Sequence, residues 1–140
     1  MGYQHYWRQE NGPIPEGAWA EICVDAKALI AAAPCRLAWE VDRPERPPQI
    51  DGAVIRFNGA PKPDGSETFL LEREGKGFAG CKTRGRPYDQ VVTAVLACAV
   101  ERAPDHIRVS SEGDDLDWTE PLAWATAVLG RAVASPLRRG

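Results

Sequence analysis

Three stretches decide the fold class: Ala53-Val-Ile-Arg-Phe-Asn58, Thr68-Phe-Leu-Leu-Glu-Arg73 and Phe78-Ala-Gly-Cys-Lys-Thr83. In the first, Ala53, Ile55 and Phe57 alternate with Val54, Arg56 and Asn58, the period-two pattern of a strand. Asn58-Gly59 and Pro63-Asp64-Gly65 supply turn chemistry before the second stretch, and Gly75-Lys-Gly77 supplies it before the third. Strands joined by short turns pair antiparallel. Helical patterns flank this block rather than alternating with its strands. The expectation is an α+β fold, a mostly antiparallel sheet of five or six strands with helices packed on one face.

Outward from that block, Tyr3-Gln-His-Tyr-Trp-Arg8 alternates and is rich in aromatics, which predicts a first strand with Tyr3, His5 and Trp7 on one face. After Pro15, Trp19, Ile22, Ala26, Leu29, Ile30 and Ala33 recur at helical spacing until Pro34. Leu37, Trp39 and Val41 suggest a short strand. Arg43–Pro48 carries Pro44, Pro47 and Pro48 and reads as a stiff loop. Pro87 and Asp89 suit the start of a second helix with Val91, Val92, Val95, Leu96 and Ala99 as its apolar stripe. Ile107-Arg-Val109 is a last short strand. Thr119 then serves as N-cap, with Pro121 in the first turn of a helix that ends before Pro136. The predicted order is β-α-β-β-β-β-α-β-α, in one domain over residues 1–136 with 137–140 a frayed tail.

The chain has 140 residues, 44% hydrophobic and 26% charged, which fits one globular domain with its own core. Seventeen Lys and Arg against twenty Asp and Glu leave a net charge of −3. That balance disfavours binding that rests on phosphate neutralisation, so no direct nucleic-acid contact is expected. The four cysteines show no C-x-x-C pair and there are two histidines, so neither a metal nor a cofactor is expected. No apolar leader follows Met1 and no apolar run is long enough for a membrane span; the expectation is a cytoplasmic protein with reduced thiols.

Two polar localities stand out. Lys82-Thr-Arg-Gly-Arg-Pro-Tyr-Asp89 lies between a predicted strand and a predicted helix. A helix N-terminus stabilises anions, and Lys82 and Arg86 add positive charge. One expectation there is a phosphate or carboxylate site using Lys82, Thr83, Arg86, Tyr88 and Asp89, with Asn58 and Glu67 from the hairpin; the other is a strand-to-helix turn in which Arg86 pairs with Asp89 or another carboxylate. It is not a P-loop, because G-x-x-x-x-G-K-[ST] is absent. His5 joins this group if its strand lies beside Phe78–Thr83, where it could act as a general base; the competing expectation is a structural histidine among Tyr3, Tyr6 and Trp7. Ser110, Ser111 and Ser135 lack a nucleophile-elbow context. No catalytic residue is assigned.

The second locality is Glu112, Asp114, Asp115, Asp117 and Glu120 around Trp118, with no base among them. Acids beside an aromatic anchor suit the recognition of a basic partner. The alternative is that they stabilise the start of the last helix.

Met1-Gly-Tyr-Gln-His-Tyr-Trp7 resembles the opening of an uncharacterised family of small bacterial and phage proteins beginning M-G-Y-T-H-Y-W. Phe57-Asn-Gly59, Glu67-Thr-Phe69, Cys81-Lys-Thr83 with Arg86-Pro-Tyr-Asp89, Ser110-Ser-Glu-Gly113 and Trp118 carry the resemblance along the chain. It departs at Gln4, where Thr is expected, and at Glu112, where Asp is expected. The resemblance implies no enzymatic activity; it implies a gene carried on bacterial chromosomes and mobile elements. Together with the acidic stretch, it points to a non-catalytic interaction protein. Glu112, Asp114, Asp115, Asp117 and Trp118 would bind a protein or ribonucleoprotein complex of the host, as an anti-defence inhibitor would. The alternative is a protein or enzyme that binds a small anionic ligand at the Lys82–Asp89 cluster.

Overall fold

A computed structural model describes residues 3–137. Its elements are β1 (Gln4–Gln9), α1 (Glu16–Ala31), β2 (Leu37–Ala38), β3 (Gln49–Ile50) and β4 (Val54–Gly59). A 3-10 turn at Lys62–Asp64 follows, then β5 (Phe69–Glu72), β6 (Gly77–Lys82), α2 (Asp89–Arg102), β7 (Ile107–Ser111) and α3 (Asp115–Leu129). The class is α+β and the order is the expected one, with the two-residue strand β3 added. β3 sits just past the last proline of the stiff loop, where backbone N–H donors resume, and pairs Gln49 with Arg56 and Ile50 with Ile55.

The strands form two antiparallel sheets rather than one. β4 and β5 make the expected hairpin, flanked by β2 and β3, all on β4. Phe78–Thr83 does not extend this sheet. As β6 it pairs with β1, and β1 pairs with β7 on its other edge. Two glycines let the chain cross between sheets. Gly77 has φ +71°, and a Cβ at Gly75 would lie 2.2 Å from the Gln9 amide oxygen. Gln9 Nε2 donates to the Glu72 carbonyl oxygen at 2.8 Å and ties the crossing point to β1.

His5, Trp7 and Gln9 face inward from β1, as the period-two pattern requires. α2 is buried along every residue from Val91 to Ala99 and packs between α1, α3 and β7. A helix apolar all round is a core element rather than a surface one. Each buried Val or Leu there contributes about 1.5–3 kcal/mol. At the far end of α2, Arg102 and Arg131 both donate to the buried Asp25 carboxylate of α1, at 3.2 Å and 2.9 Å.

α3 starts one turn before its expected N-cap. Asp114 is the N-cap: its side chain accepts from the Asp117 N–H at 3.1 Å, and Asp117 accepts from the Asp114 N–H at 2.9 Å. This reciprocal box outcompetes Thr119, which instead donates to the Asp115 carbonyl oxygen inside the helix. Pro121 therefore lies in the helix interior. Leu137, expected in the frayed tail, forms a parallel bridge with Val109; residues 138–140, with Met1 and Gly2, lie outside the described residues. No helix among the described residues is long and apolar enough to cross a membrane.

Candidate functional site

β1 begins where β6 and β7 end, so this edge of the three-stranded sheet meets the N-terminus of α2. The register sets His5 opposite Cys81 on one side and Ser111 on the other. His5 is 0% exposed. One ring nitrogen, Nε2, lies 2.6 Å from Asp89 Oδ1, and the other, Nδ1, lies 2.8 Å from Ser111 Oγ. With a neutral ring, Nε2–H donates to the carboxylate and Nδ1 accepts from the serine hydroxyl. Thr83 Oγ1 donates to the same Asp89 oxygen at 2.5 Å. Tyr3 and Trp118 stand edge-on to the imidazole, with ring centroids 4.9 Å and 5.3 Å away.

A serine, an imidazole and a carboxylate in one chain is the arrangement of a nucleophile, a base and its orienter. Here the hydrogen bonds close inward. A hydroxyl offers one donor and two acceptor positions. Ser111 Oγ shares a hydrogen bond with His5 Nδ1, accepts the Gly113 N–H at 2.9 Å, and also interacts with the Tyr3 phenol. Burial, helped by the Asp89 and Asp117 charges, pushes that phenol up to about 12, so it stays a neutral hydroxyl. A cavity of about 300 Å³ adjoins Ser111, but its lining includes Asp114 and Asp115 and no cation. Carboxylates there would oppose an oxyanion rather than stabilise one. The cluster ties β1, β6, β7 and α2 together.

The other predicted residues divide. Asn58 is buried; its Nδ2 donates to the Ser66 carbonyl oxygen at 2.8 Å and to Thr68, and its Oδ1 accepts from the Ser66 N–H at 3.1 Å, so it clamps the 59–66 loop instead of meeting a ligand. Tyr88 is buried and donates to the Glu67 carbonyl oxygen at 2.5 Å. His5, Thr83 and Asp89 belong to the inner cluster. At the turn into α2, the N–H groups of Arg84, Gly85, Arg86 and Asp89 go to Tyr3, Thr83 Oγ1, Thr83 and Arg86. These four backbone donors are taken up by the turn's own bonds.

Glu67 and Arg86 instead line a second cavity, of about 320 Å³, with Lys62, Ser66 and Arg84. Two braced loops build it. On one side, Asn58 and the interlocked backbones of Gly59 and Gly65 hold residues 59–66; a Cβ at Gly65 would lie 2.0 Å from the Gly59 carbonyl oxygen. On the other, Thr83 and Arg84 both donate backbone N–H to the Tyr3 carbonyl oxygen at 3.0 Å. They hold Arg84 at φ +57°, a left-handed conformation that non-glycine residues seldom adopt. Arg86 Nη1 donates to the Pro63 carbonyl oxygen at 3.2 Å and joins the loops. Among the described residues no carboxylate comes within ion-pair distance of Lys62, Arg84 or Arg86. The nearby Glu67 carboxylate accepts the Lys82 backbone N–H at 2.7 Å. Lys62 and Arg84 were outside the predicted set; the run of bases at 82–86 was the available signal for Arg84. Lys82 itself does not line the cavity.

In the acidic stretch, Asp114 and Asp117 are engaged in the α3 cap and Trp118 is 0% exposed, so the expected aromatic anchor presents no face to a partner. Trp118 Nε1 is the buried side-chain polar atom left without a hydrogen-bond partner among the described residues. The same residues include no group of three or more His, Cys, Asp or Glu able to hold a metal ion. No protein-family model, curated protein or solved structure matches the chain.

Proposed function

We propose that this is a non-catalytic binding protein whose ligand is an anion, a phosphate or carboxylate group, held in the cavity of Lys62, Arg84 and Arg86. One observation carries this: three cations without ion-pair partners among the described residues, against the single carboxylate of Glu67, line one cavity of about 320 Å³, within the range of small-ligand sites. An anion there would supply the missing counter-charge. Arginine suits the task, since its planar fork binds phosphate and carboxylate oxygens in pairs. The strained, braced Arg84 supports the same reading, because local strain held by surrounding bonds gathers at binding sites. The stretches that carry the family resemblance supply Glu67 and Arg86 to the cavity and Thr83, Asp89, His5 and Ser111 to the cluster that braces it.

Thermal-shift titration with inorganic phosphate, pyrophosphate and citrate at constant ionic strength tests the proposal. A ligand at 100 times its Kd stabilises by about 2.7 kcal/mol, and the combined Arg84→Ala and Arg86→Ala variant should lose that gain. If none of the three anions stabilises the wild-type chain, the proposal fails.

A second reading places a host protein or ribonucleoprotein partner on the acidic stretch, as an anti-defence inhibitor of mobile-element origin would require. What favours it is Leu116, 80% exposed between Asp115 and Asp117. An apolar side chain within a charged rim is the pattern of a protein contact. Leu116→Asp would abolish retention of such a partner while leaving anion binding intact.

A further inference from the structure

Among the described residues, no layer covers the outer face of the β6–β1–β7 sheet. By register, its positions form three rows: Lys82, Gln4 and Glu112; Gly80, Tyr6 and Ser110; Phe78, Arg8 and Arg108. Phe78 is 61% exposed, an unusual state for a large aromatic on a strand. It stacks on Tyr6, with centroids 5.4 Å apart and ring planes 23° from parallel. Arg8 lies over the Phe78 ring, 5.9 Å from its centroid. Directly across the strands Tyr6 is flanked by the small residues Gly80 and Ser110, while Phe78 covers one of its ring faces. At Gly80 a Cβ would come within 3.1 Å of the tyrosine ring, and the missing side chain keeps the aromatic surface flat.

Charge on this face is opposite in sign to that of the whole chain. Lys82, Arg8 and Arg108 stand against Glu112, and Glu10 at the margin pairs with Arg108 at 2.7 Å. Lys82 ends β6 two residues before Arg84, so the cationic side of the face runs toward the anion cavity. Flat exposed aromatics beside a track of cations are what single-stranded nucleic acids use, because every base has a π-face to stack and every linkage a phosphate. Duplex DNA hides its bases, so the aromatic surface of this face would add nothing to its binding.

We infer that the anion held by Lys62, Arg84 and Arg86 belongs to the backbone of a single-stranded nucleic acid whose bases stack on Tyr6 and Phe78. This rests on the anion-binding proposal and replaces the expectation, drawn from net charge alone, that nucleic acid is not a partner. The whole-chain figure averages over an acidic stretch at 112–120 that lies outside the proposed track except at Glu112.

The test is fluorescence anisotropy with labelled single strands of about 12 nucleotides, within the ~4–16 nucleotide footprints of single-strand-binding folds. Duplex of the same length, inorganic pyrophosphate and polyglutamate are the comparison probes. The expected result is single-strand binding that Phe78→Ala weakens roughly 5- to 100-fold, with no loss of pyrophosphate binding. Phe78 is exposed, so this variant should fold. Removing Arg84 and Arg86 together should weaken both ligands and lower the salt slope by about 1.4, at ~0.7 per phosphate contact on a single strand. If pyrophosphate binds and the single strand does not, the anion site stands and this inference is overturned. It is equally overturned if duplex or polyglutamate binds as tightly as the single strand, or if Phe78→Ala changes nothing. Loss of both ligands in the wild-type chain would remove both proposals.

Discussion

The inner cluster of Ser111, His5 and Asp89 and the basic cavity of Lys62, Arg84 and Arg86 lie at the same end of one sheet, and they treat polar groups in opposite ways. In the cluster, His5 and Ser111 find partners within the protein, and His5 is shut away from solvent. In the cavity, three cations have no ion-pair partner among the described residues, and Glu67 is the one carboxylate beside them in a well-braced frame. Triad-like geometry alone does not make a reactive site; what matters is whether a donor, an acceptor or a charge is left over for a ligand. By that criterion the cluster reads as scaffold, and the cavity is the site proposed for the ligand.

Substitutions on the two sides should separate stability from binding. The largest effect is expected for His5→Ala. It leaves a void and takes one partner each from Asp89 and Ser111, at a cost of about 3–5 kcal/mol, read as a fall in the urea midpoint. Ser111→Ala leaves His5 Nδ1 and the Gly113 N–H unpaired and should cost about 1–3 kcal/mol. A serine-reactive phosphonate should leave the wild-type chain unlabelled, and labelling at Ser111 would break the comparison.

Alkaline pH probes the same buried region. Burial pushes the Cys81 thiol and the Tyr3 phenol up to about 12 from ordinary values of 9.0 and 10.0. The unfolded chain then gives up these protons at lower pH than the folded one. The stability they contribute is complete below pH 9.0 and is lost as pH rises toward about 12. Urea midpoints should fall across that interval, and Cys81→Ala should flatten the fall. The smallest effect is on the other side of the comparison: Arg84→Gly relieves the left-handed backbone, so stability should hold or rise by up to about 1 kcal/mol while anion affinity drops.

Local pattern carried much of the fold. The alternation in Ala53–Asn58 and in Tyr3–Arg8, the turn residues and the proline boundaries placed most elements, because strand and helix periods are set within a few residues. The partition into two sheets was not legible: the partner of Phe78–Thr83 is β1, seventy or more residues away, and nothing local distinguishes it from β5. The start of α3 was missed because Pro121 favours a first-turn position, while the Asp114–Asp117 box acts one turn earlier. At the site, the condition placed on His5 was met, since β1 lies beside β6 and the ring reaches Asp89. The role of Ser111 was hidden, as its contact with His5 spans 106 positions and no motif marks it. Lys62 entered the cavity through a loop whose shape depends on the buried Asn58, a residue that looked like a ligand group and is a clamp.

The most direct measurement is a calorimetric titration of inorganic pyrophosphate into three chains: wild type, Ser111→Ala, and the combined Arg84→Ala and Arg86→Ala variant. Binding should be equal in the first two and absent in the third. Binding that vanishes with Ser111→Ala but survives loss of both arginines would contradict the assignment of scaffold and site.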